Sequence, residues 1–342
     1  MRLLETVSST LVDDGFVLIQ GRQSLRVRAP RAWSEKTLAQ LRQGWLLHDR
    51  WDAVGGRQFL QLVEELERMG WLRKSSTVVS VPPRLERQFG YLTLFGADPD
   101  AMTDRLMRAS VALLGVGGVG AVVAQHLVAA GVGSLVLIDY DQVQIHNLNR
   151  QLAFTGEDIG RPKTEALASR LRALDPELQV RTIHRKVEVP DDLSDVSRVD
   201  MLVVCADTPG EVGTIAWKWC LASGTPWMRA AVGHEEGYWG PLLDPGLGHC
   251  LGCFDQWRLG QLSDLEQQLE RELRQPTPWS FGPTNTVVSA WGAHDIVQYL
   301  CGDTPVSLNA RVTVDFGTPA VRRSVQPPVR ACEGHCSVGA RT

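Results

Sequence analysis

The run Leu114-Gly115-Val116-Gly117-Gly118-Val119-Gly120 constrains this chain more than any other stretch. It follows an apolar segment, Val111 to Gly115, suited to a buried strand, and it opens a helix expected from Val119 to Ala130. Glycines at such a junction keep the turn tight and let the backbone approach phosphate, while the helix N-terminus supplies unpaired N–H groups and a positive dipole. A strand is expected next at Leu135 to Asp139, a helix at Lys163 to Leu174 and a strand at Val199 to Cys205. This alternation predicts an α/β fold, a Rossmann-like doubly wound parallel sheet with helices on both faces. The glycine turn taken alone suits dinucleotide enzymes equally well, and Asp139 stands where an acid holds ribose hydroxyls in either case.

The 342 residues are enough for two domains. Residues 1–80 are patterned separately, as a winged-helix-like α+β module. FVLIQ and SLRVRAP form a hairpin around Gly21-Arg22-Gln23. Ser34 is expected to cap a helix carrying Leu38, Leu41 and Trp45, and a second helix from Arg57 to Met69 stops at Gly70. Residues 81–100, with Pro82-Pro83, are expected as a linker, and residues 101–342 as the nucleotide domain. A net charge of −4 gives no electrostatic case for nucleic acid or an anionic membrane. No run of about 18 apolar residues exists to span a bilayer, and the N-terminus lacks the apolar core of a signal peptide. A cytoplasmic protein is expected.

The charged residues behind the glycine turn separate the two nucleotide readings. Asp139 opens a run that contains Asn147, Arg150 and Gln151; Gly160-Arg161-Pro162-Lys163 follows at a helix start, and Asp207 comes just after a strand. A dehydrogenase has no reason to gather Asn, Arg, Lys and a second Asp beside its pyrophosphate loop. A triphosphate to be cleaved does: cations offset its charge, an acid holds Mg2+, and an amide donates to the phosphorus under attack.

In these motifs and their order, residues 84–336 resemble the bacterial ubiquitin-activating-like enzymes, the ThiF/MoeB-type adenylating enzymes of thiamine and molybdopterin biosynthesis. The resemblance implies ATP bound by Gly115, Gly117, Gly118 and Gly120, with Asp139 on the ribose. It places Asn147, Arg150 and Lys163 on the triphosphate and Asp207 on Mg2+. Arg84-Leu85-Glu86-Arg87-Gln88 resembles the family's Arg-Gln segment, which implies that Arg87 reaches across a homodimer to the partner's ATP. The implied chemistry is carboxylate attack on the α-phosphate.

Cys250-Leu-Gly-Cys253 and Cys332-Glu-Gly-His-Cys336 are two short-spaced pairs, suited to a tetrahedral structural Zn2+ that ties down the C-terminal region. The extra residue in the second pair leaves Cys336 or His335 as the fourth ligand. Cys205, Cys220 and Cys301 lie in apolar contexts and are expected as inert core residues. Between Cys253 and Asn285 there is no cysteine, where thioester- or persulfide-forming relatives carry one.

The front module resembles leader-recognition elements, in which a strand edge and a helix accept a leader peptide as an added strand. Arg26 and Arg28 alternate with Leu25 and Val27, a charged face suited to acidic leader residues. The whole layout resembles the peptide-modifying adenylating enzymes of microcin C and pantocin A biosynthesis, which implies a precursor peptide as partner. The rivals are an activator of a small ubiquitin-like sulfur carrier, a non-catalytic leader-binding partner of a cyclodehydratase, and a DNA-binding regulator.

Overall fold

The computed structural model describes residues 2–4, 6–44, 56–73, 81–96, 98–196, 198–272 and 279–327. The chain divides into two compact units, Met1–Arg105 and Leu106–Thr342. Among the described residues no helix is long and apolar enough to cross a membrane.

In the first unit, β1 (Arg2–Leu3) pairs antiparallel with β5 (Leu72–Arg73), and β2 (Ser8–Val12), β3 (Gly15–Gln20) and β4 (Gln23–Arg28) form an antiparallel sheet in that order. The expected hairpin is β3–β4, closed where Gln20 faces Gln23. β2 was not foreseen, because Ser8-Ser9-Thr10 carries no apolar alternation and stays largely exposed. Helices α1 (Arg31–Gln43) and α2 (Gly56–Arg68) follow. Phe16, Leu18, Leu38, Leu41, Phe59, Leu66 and Trp71 bury one shared core. Ser34 is not the cap: α1 starts at Arg31 after Pro30, and Ser34 Oγ donates to Pro30 O at 3.1 Å inside the first turn. The fixed φ of Pro30 ends the extended run and sets the helix entry earlier than the serine. Trp45 lies outside the described residues. Residues 83–92 form a short 3-10 turn, Pro83–Leu85, and α3 (Glu86–Leu92), with α4 (Pro99–Arg108) beyond.

The second unit is a sheet of eight described strands. In chain order its elements are β6 (Ser110–Leu114), α5 (Gly120–Ala129), β7 (Ser134–Asp139), α6 (Lys163–Leu174), β8 (Gln179–His184), β9 (Met201–Val204) and α7 (Val212–Ser223). Then come β10 (Trp227–Val232), β11 (Glu236–Leu243), α8 (Leu251–Leu259), α9 (Asp264–Glu272), α10 (Gly282–Leu300), β12 (Ala310–Asp315) and β13 (Val321–Val325). The order across the sheet is β13-β12-β11-β10-β9-β6-β7-β8. The strands β10-β9-β6-β7-β8 are parallel, as expected, but β11, β12 and β13 add on antiparallel, so the sheet is mixed. β8 was missed at the sequence level because Gln-Val-Arg-Thr-Ile-His alternates weakly and sits at an edge. The central strands are apolar at nearly every position because helices cover both faces: α5 and α10 on one, α7 on the other.

Candidate functional site

The glycine turn leaves β6 at Leu114. Gly115 adopts φ +89°, and a Cβ there would stand 2.6 Å from the Ala206 nitrogen. A Cβ on Gly120 would lie 1.9 Å from the Gly115 carbonyl oxygen, so no larger residue fits between the turn and the first residue of α5. Neighbours crowd the middle of the turn: Gln151 Nε2 flanks Gly117, and Asn285 Nδ2 stands 2.2 Å from where a Gly118 Cβ would be.

Asp139 ties this turn to the next crossover. Its Oδ2 accepts the Val116 N–H at 2.8 Å and its Oδ1 the Asp141 N–H at 2.9 Å. The carboxyl is buried, and that burial pushes its pKa up; the charge of Lys163 and the two backbone N–H groups oppose the rise without cancelling it. Lys163, the first residue of α6, is buried as well, and its Nζ donates to Asp141 Oδ2 at 2.8 Å. Backbone bonds fasten the same corner, where the Lys163 N–H donates to Asp141 O at 2.9 Å.

Asn147 lies in a 3-10 turn, Ile145–Asn147, with its Oδ1 accepting the Gln144 N–H at 3.0 Å. Its backbone carbonyl takes the N–H groups of Arg150 and Gln151. Arg150 Nη1 donates to His146 O at 2.6 Å and to Asn149 Oδ1 at 3.0 Å, so the guanidinium is positioned by its own loop. The Arg150 backbone touches the spaces above Gly118 and Gly282, next to the first turn of α10. Asp207 is exposed just past Ala206, its Oδ1 accepting from Thr208 Oγ1 at 3.2 Å. Burial pushes the thiol of its neighbour Cys205 up to about 12, with Arg229 pulling the other way, so Cys205 is no nucleophile.

The structure thus gathers Gly115, Gly117, Gly118, Gly120, Asp139, Asn147, Arg150, Lys163 and the strand end before Asp207 around one turn at the carboxyl ends of parallel strands. Arg87 is exposed on α3 in the other unit. Three residues without an assigned role join the site: Asp141, Gln151 and Asn285. Asp141 and Gln151 stood inside the charged run; Asn285 comes from α10, far along the chain, and no local pattern points to it.

Cys250 precedes α8 and Cys253 lies in its first turn, both buried, a spacing that suits two thiolates on one metal. Cys332, His335 and Cys336 lie outside the described residues. Among the described residues no group of three or more metal-ligating side chains assembles.

The ThiF family pattern matches residues 85–337. The chain belongs to the ThiF family. It is 32% identical over 205 residues to the sulfur carrier protein ThiS adenylyltransferase of Escherichia coli, a stretch that covers 59% of this chain and 76% of that protein. It is 33% identical over 174 residues to the heterocyst HesA protein of Trichormus variabilis, covering 50% of this chain and 63% of HesA, so the chain spans a little under two thirds of that relative. Among solved structures, E. coli MccB with ATP superposes with a TM-score of 0.79 at 25% identity, over 97% of this chain and 98% of MccB. The same figures hold for MccB with AMPCPP and MccA. The expected Rossmann-like ThiF fold is therefore present, its sheet mixed where a wholly parallel one was expected, and β11 to β13 lie within the residues the family pattern matches.

Proposed function

We propose that this ThiF-family chain is an ATP-dependent adenylyltransferase that activates a carboxyl group on a ribosomally made precursor peptide. One observation carries the choice of substrate. The family pattern leaves residues 1–84 unmatched and the likeness to the ThiS adenylyltransferase covers 59% of the chain, whereas the likeness to MccB extends over 97% of it. The front unit therefore has a counterpart in an enzyme solved both with ATP and with MccA.

In this reading the backbone N–H groups of the glycine turn and the N-terminus of α5 cradle the phosphates. Asp139, already holding Val116 and Asp141, offers its remaining lone pairs to the ribose hydroxyls. Arg150 and Lys163 offset triphosphate charge, and the Asn147 amide donates to the α-phosphate. An oxygen of the acceptor carboxylate attacks the α-phosphorus; the bond to the bridging oxygen breaks, and pyrophosphate leaves with the electron pair. Asp207, an exposed carboxylate beside the turn, suits a hard cation such as Mg2+, which when bound would neutralise the departing phosphates. Arg87 acts in trans in a homodimer. Cys250 and Cys253 supply half of a structural zinc site, completed by Cys332 and either Cys336 or His335.

The precursor's leader docks on the first unit by adding to an edge of the β2-β3-β4 sheet. The charge argument for β4 is weaker than the sequence suggested, because Arg26 and Arg28 both face Asp14, at 2.7 and 3.4 Å. Backbone pairing is therefore the main attraction.

Exchange of radiolabelled pyrophosphate into ATP, driven by synthetic precursor peptides with and without their leaders, tests the reading. Exchange that depends on the leader is expected. Exchange driven instead by a folded carrier protein ending in Gly-Gly would move the chain to the sulfur-carrier activators, the second reading favoured by the ThiS adenylyltransferase likeness. Release of orthophosphate alone would remove adenylation altogether.

A further inference from the structure

Helix α10 begins beside the glycine turn, although it stands far along the chain from the charged run behind that turn. Gly282 is its first residue. A Cβ there would stand 3.3 Å from Asn149 O and 3.4 Å from Arg150 Cα, so the missing side chain lets the start of α10 lie against the loop that carries Arg150. Further along the helix Ser289 is fully buried, and its Oγ bridges Asn285 O at 2.6 Å and Val119 O at 3.0 Å. The hydroxyl thereby fastens α10 to the residue just before α5.

Asn285 lies between these two anchors and is 3% exposed. A Cβ built on Gly118 would run into its Nδ2 and stand 3.1 Å from its Cγ, so the amide covers the face of the turn that a side chain would otherwise fill. Its Oδ1 accepts from Ser280 Oγ at 3.3 Å. A hydroxyl donor at the carbonyl end leaves the NH2 end facing the turn. Among the described residues Nδ2 makes no hydrogen bond. Leaving the donors of a buried amide without an acceptor is costly, and it is tolerated where a ligand supplies the oxygen.

We infer that Asn285 is a further contact of the transferred phosphate, its Nδ2 donating to one non-bridging oxygen of the α-phosphate held over Gly118. This contact rests on the reading that the glycine turn holds ATP for adenylation. The N–H groups of the turn and the dipole of α5 draw an anion to this spot, and a neutral amide adds a donor there without another charge. The Arg150 carbonyl borders the same space above Gly118, on the loop whose Asn147 amide that reading gives to the α-phosphate, so two amides from different elements serve one phosphorus. As the carboxylate oxygen bonds to phosphorus and pyrophosphate leaves with the electron pair, no proton passes through Asn285. It acts by holding one oxygen in place while charge redistributes around the phosphorus. A donor fixed on one side reaches only one of the two non-bridging oxygens, so the contact is stereospecific.

Calorimetric binding of ATP, adenosine and the two diastereomers of ATPαS, all with magnesium, to the full-length protein and to Asn285→Ala tests the contact. Sulfur accepts hydrogen bonds more poorly than oxygen, so the parent should prefer one diastereomer. Any preference of the magnesium itself drops out when the ratio is compared between proteins. Asn285→Ala should bind ATP about 10-fold more weakly, as expected for one charge-assisted hydrogen bond, and should shift the diastereomer ratio by about as much. Its affinity for adenosine should not change. Asn285→Asp keeps the shape and the oxygen that faces Ser280, and should show the same pattern if the alanine variant fails to fold. Val287→Ala, at an exposed position of the same helix, should leave all four affinities as they are in the parent. An unchanged ratio, or equal losses for ATP and adenosine, would overturn the contact. A parent that binds no ATP would remove both the contact and the adenylation reading. Should the ratio shift as expected while neither precursor peptide nor carrier protein drives pyrophosphate exchange, the contact stands and the adenylation reading falls.

Discussion

Lys163 Nζ and Asp141 Oδ2 are 2.8 Å apart, an ammonium 8% exposed held by a carboxylate 45% exposed, at the point where the β7 crossover meets the first turn of α6. The pair stores a cation beside the glycine turn and leaves its partner open to water. A partner so exposed contributes at most about 1 kcal/mol to stability, so the pair's value lies in placing the charge. Lys163→Met should therefore lower pyrophosphate exchange by about 10²-fold or more, while Asp141→Asn should stay within about 10-fold of the parent because the cation remains. Equal losses in both variants would show that the pair, and not the ammonium, is what the site requires.

Glycine substitutions should divide sharply by position. A Cβ at Gly120 meets the Gly115 carbonyl at 1.9 Å, whereas one at Gly156 meets nothing within 4 Å. Gly120→Ala should destabilise the fold by about 1–3 kcal/mol and abolish ATP binding, because the turn must open. Gly156→Ala should change stability by no more than about 0.5 kcal/mol. Denaturant midpoints and calorimetric ATP titration measure both effects, and a Gly120→Ala protein that still bound ATP would contradict the close approach.

Tyr238, Tyr299 and Tyr140 should ionise over a wide range. Tyr238 is held below its ordinary value of 10.0, since its arginine neighbours outweigh burial. Tyr299 is pushed well up by burial and by its hydrogen bond and proximity to Asp244, and Tyr140 is raised by burial with Asp141 and Asp139 adding to it. Phenolate absorbance should show an early component that Tyr238→Phe removes. Between the folded value and 10.0 the native state binds fewer protons than the unfolded chain, so Tyr238 contributes stability that grows as pH rises through that window and is lost as pH falls through the folded value. A titration without the early component would show that the arginines do not govern the phenol.

Purified protein is expected to carry one zinc per chain by elemental analysis. Cys253→Ser should lose the metal and lower the thermal midpoint, since a structural site contributes folding free energy. Full zinc content in that variant would assign the metal elsewhere.

The cluster around the glycine turn was legible because its parts are local. The glycine turn, Asp139, Asn147, Arg150 and Lys163 follow one another through two successive strand-turn-helix units, β6 to α5 and β7 to α6, where backbone geometry and charge spacing are written in nearby residues. The parallel strands were legible for the same reason: burial on both faces leaves unbroken apolar runs such as Val111 to Leu114. β2 and β8 escaped because exposed edge strands need no apolar alternation.

Order along the chain was thus enough to specify the turn, the charges behind it and the family to which they belong. Folding alone brought Asn285 from α10 against Gly118, and set Arg229 and Arg311 on either side of Tyr238. The physical cause is the antiparallel pairing of β11 with β10 and of β12 with β11: pairing register, a long-range property, chooses which side chains share a face, and no short stretch of residues encodes it.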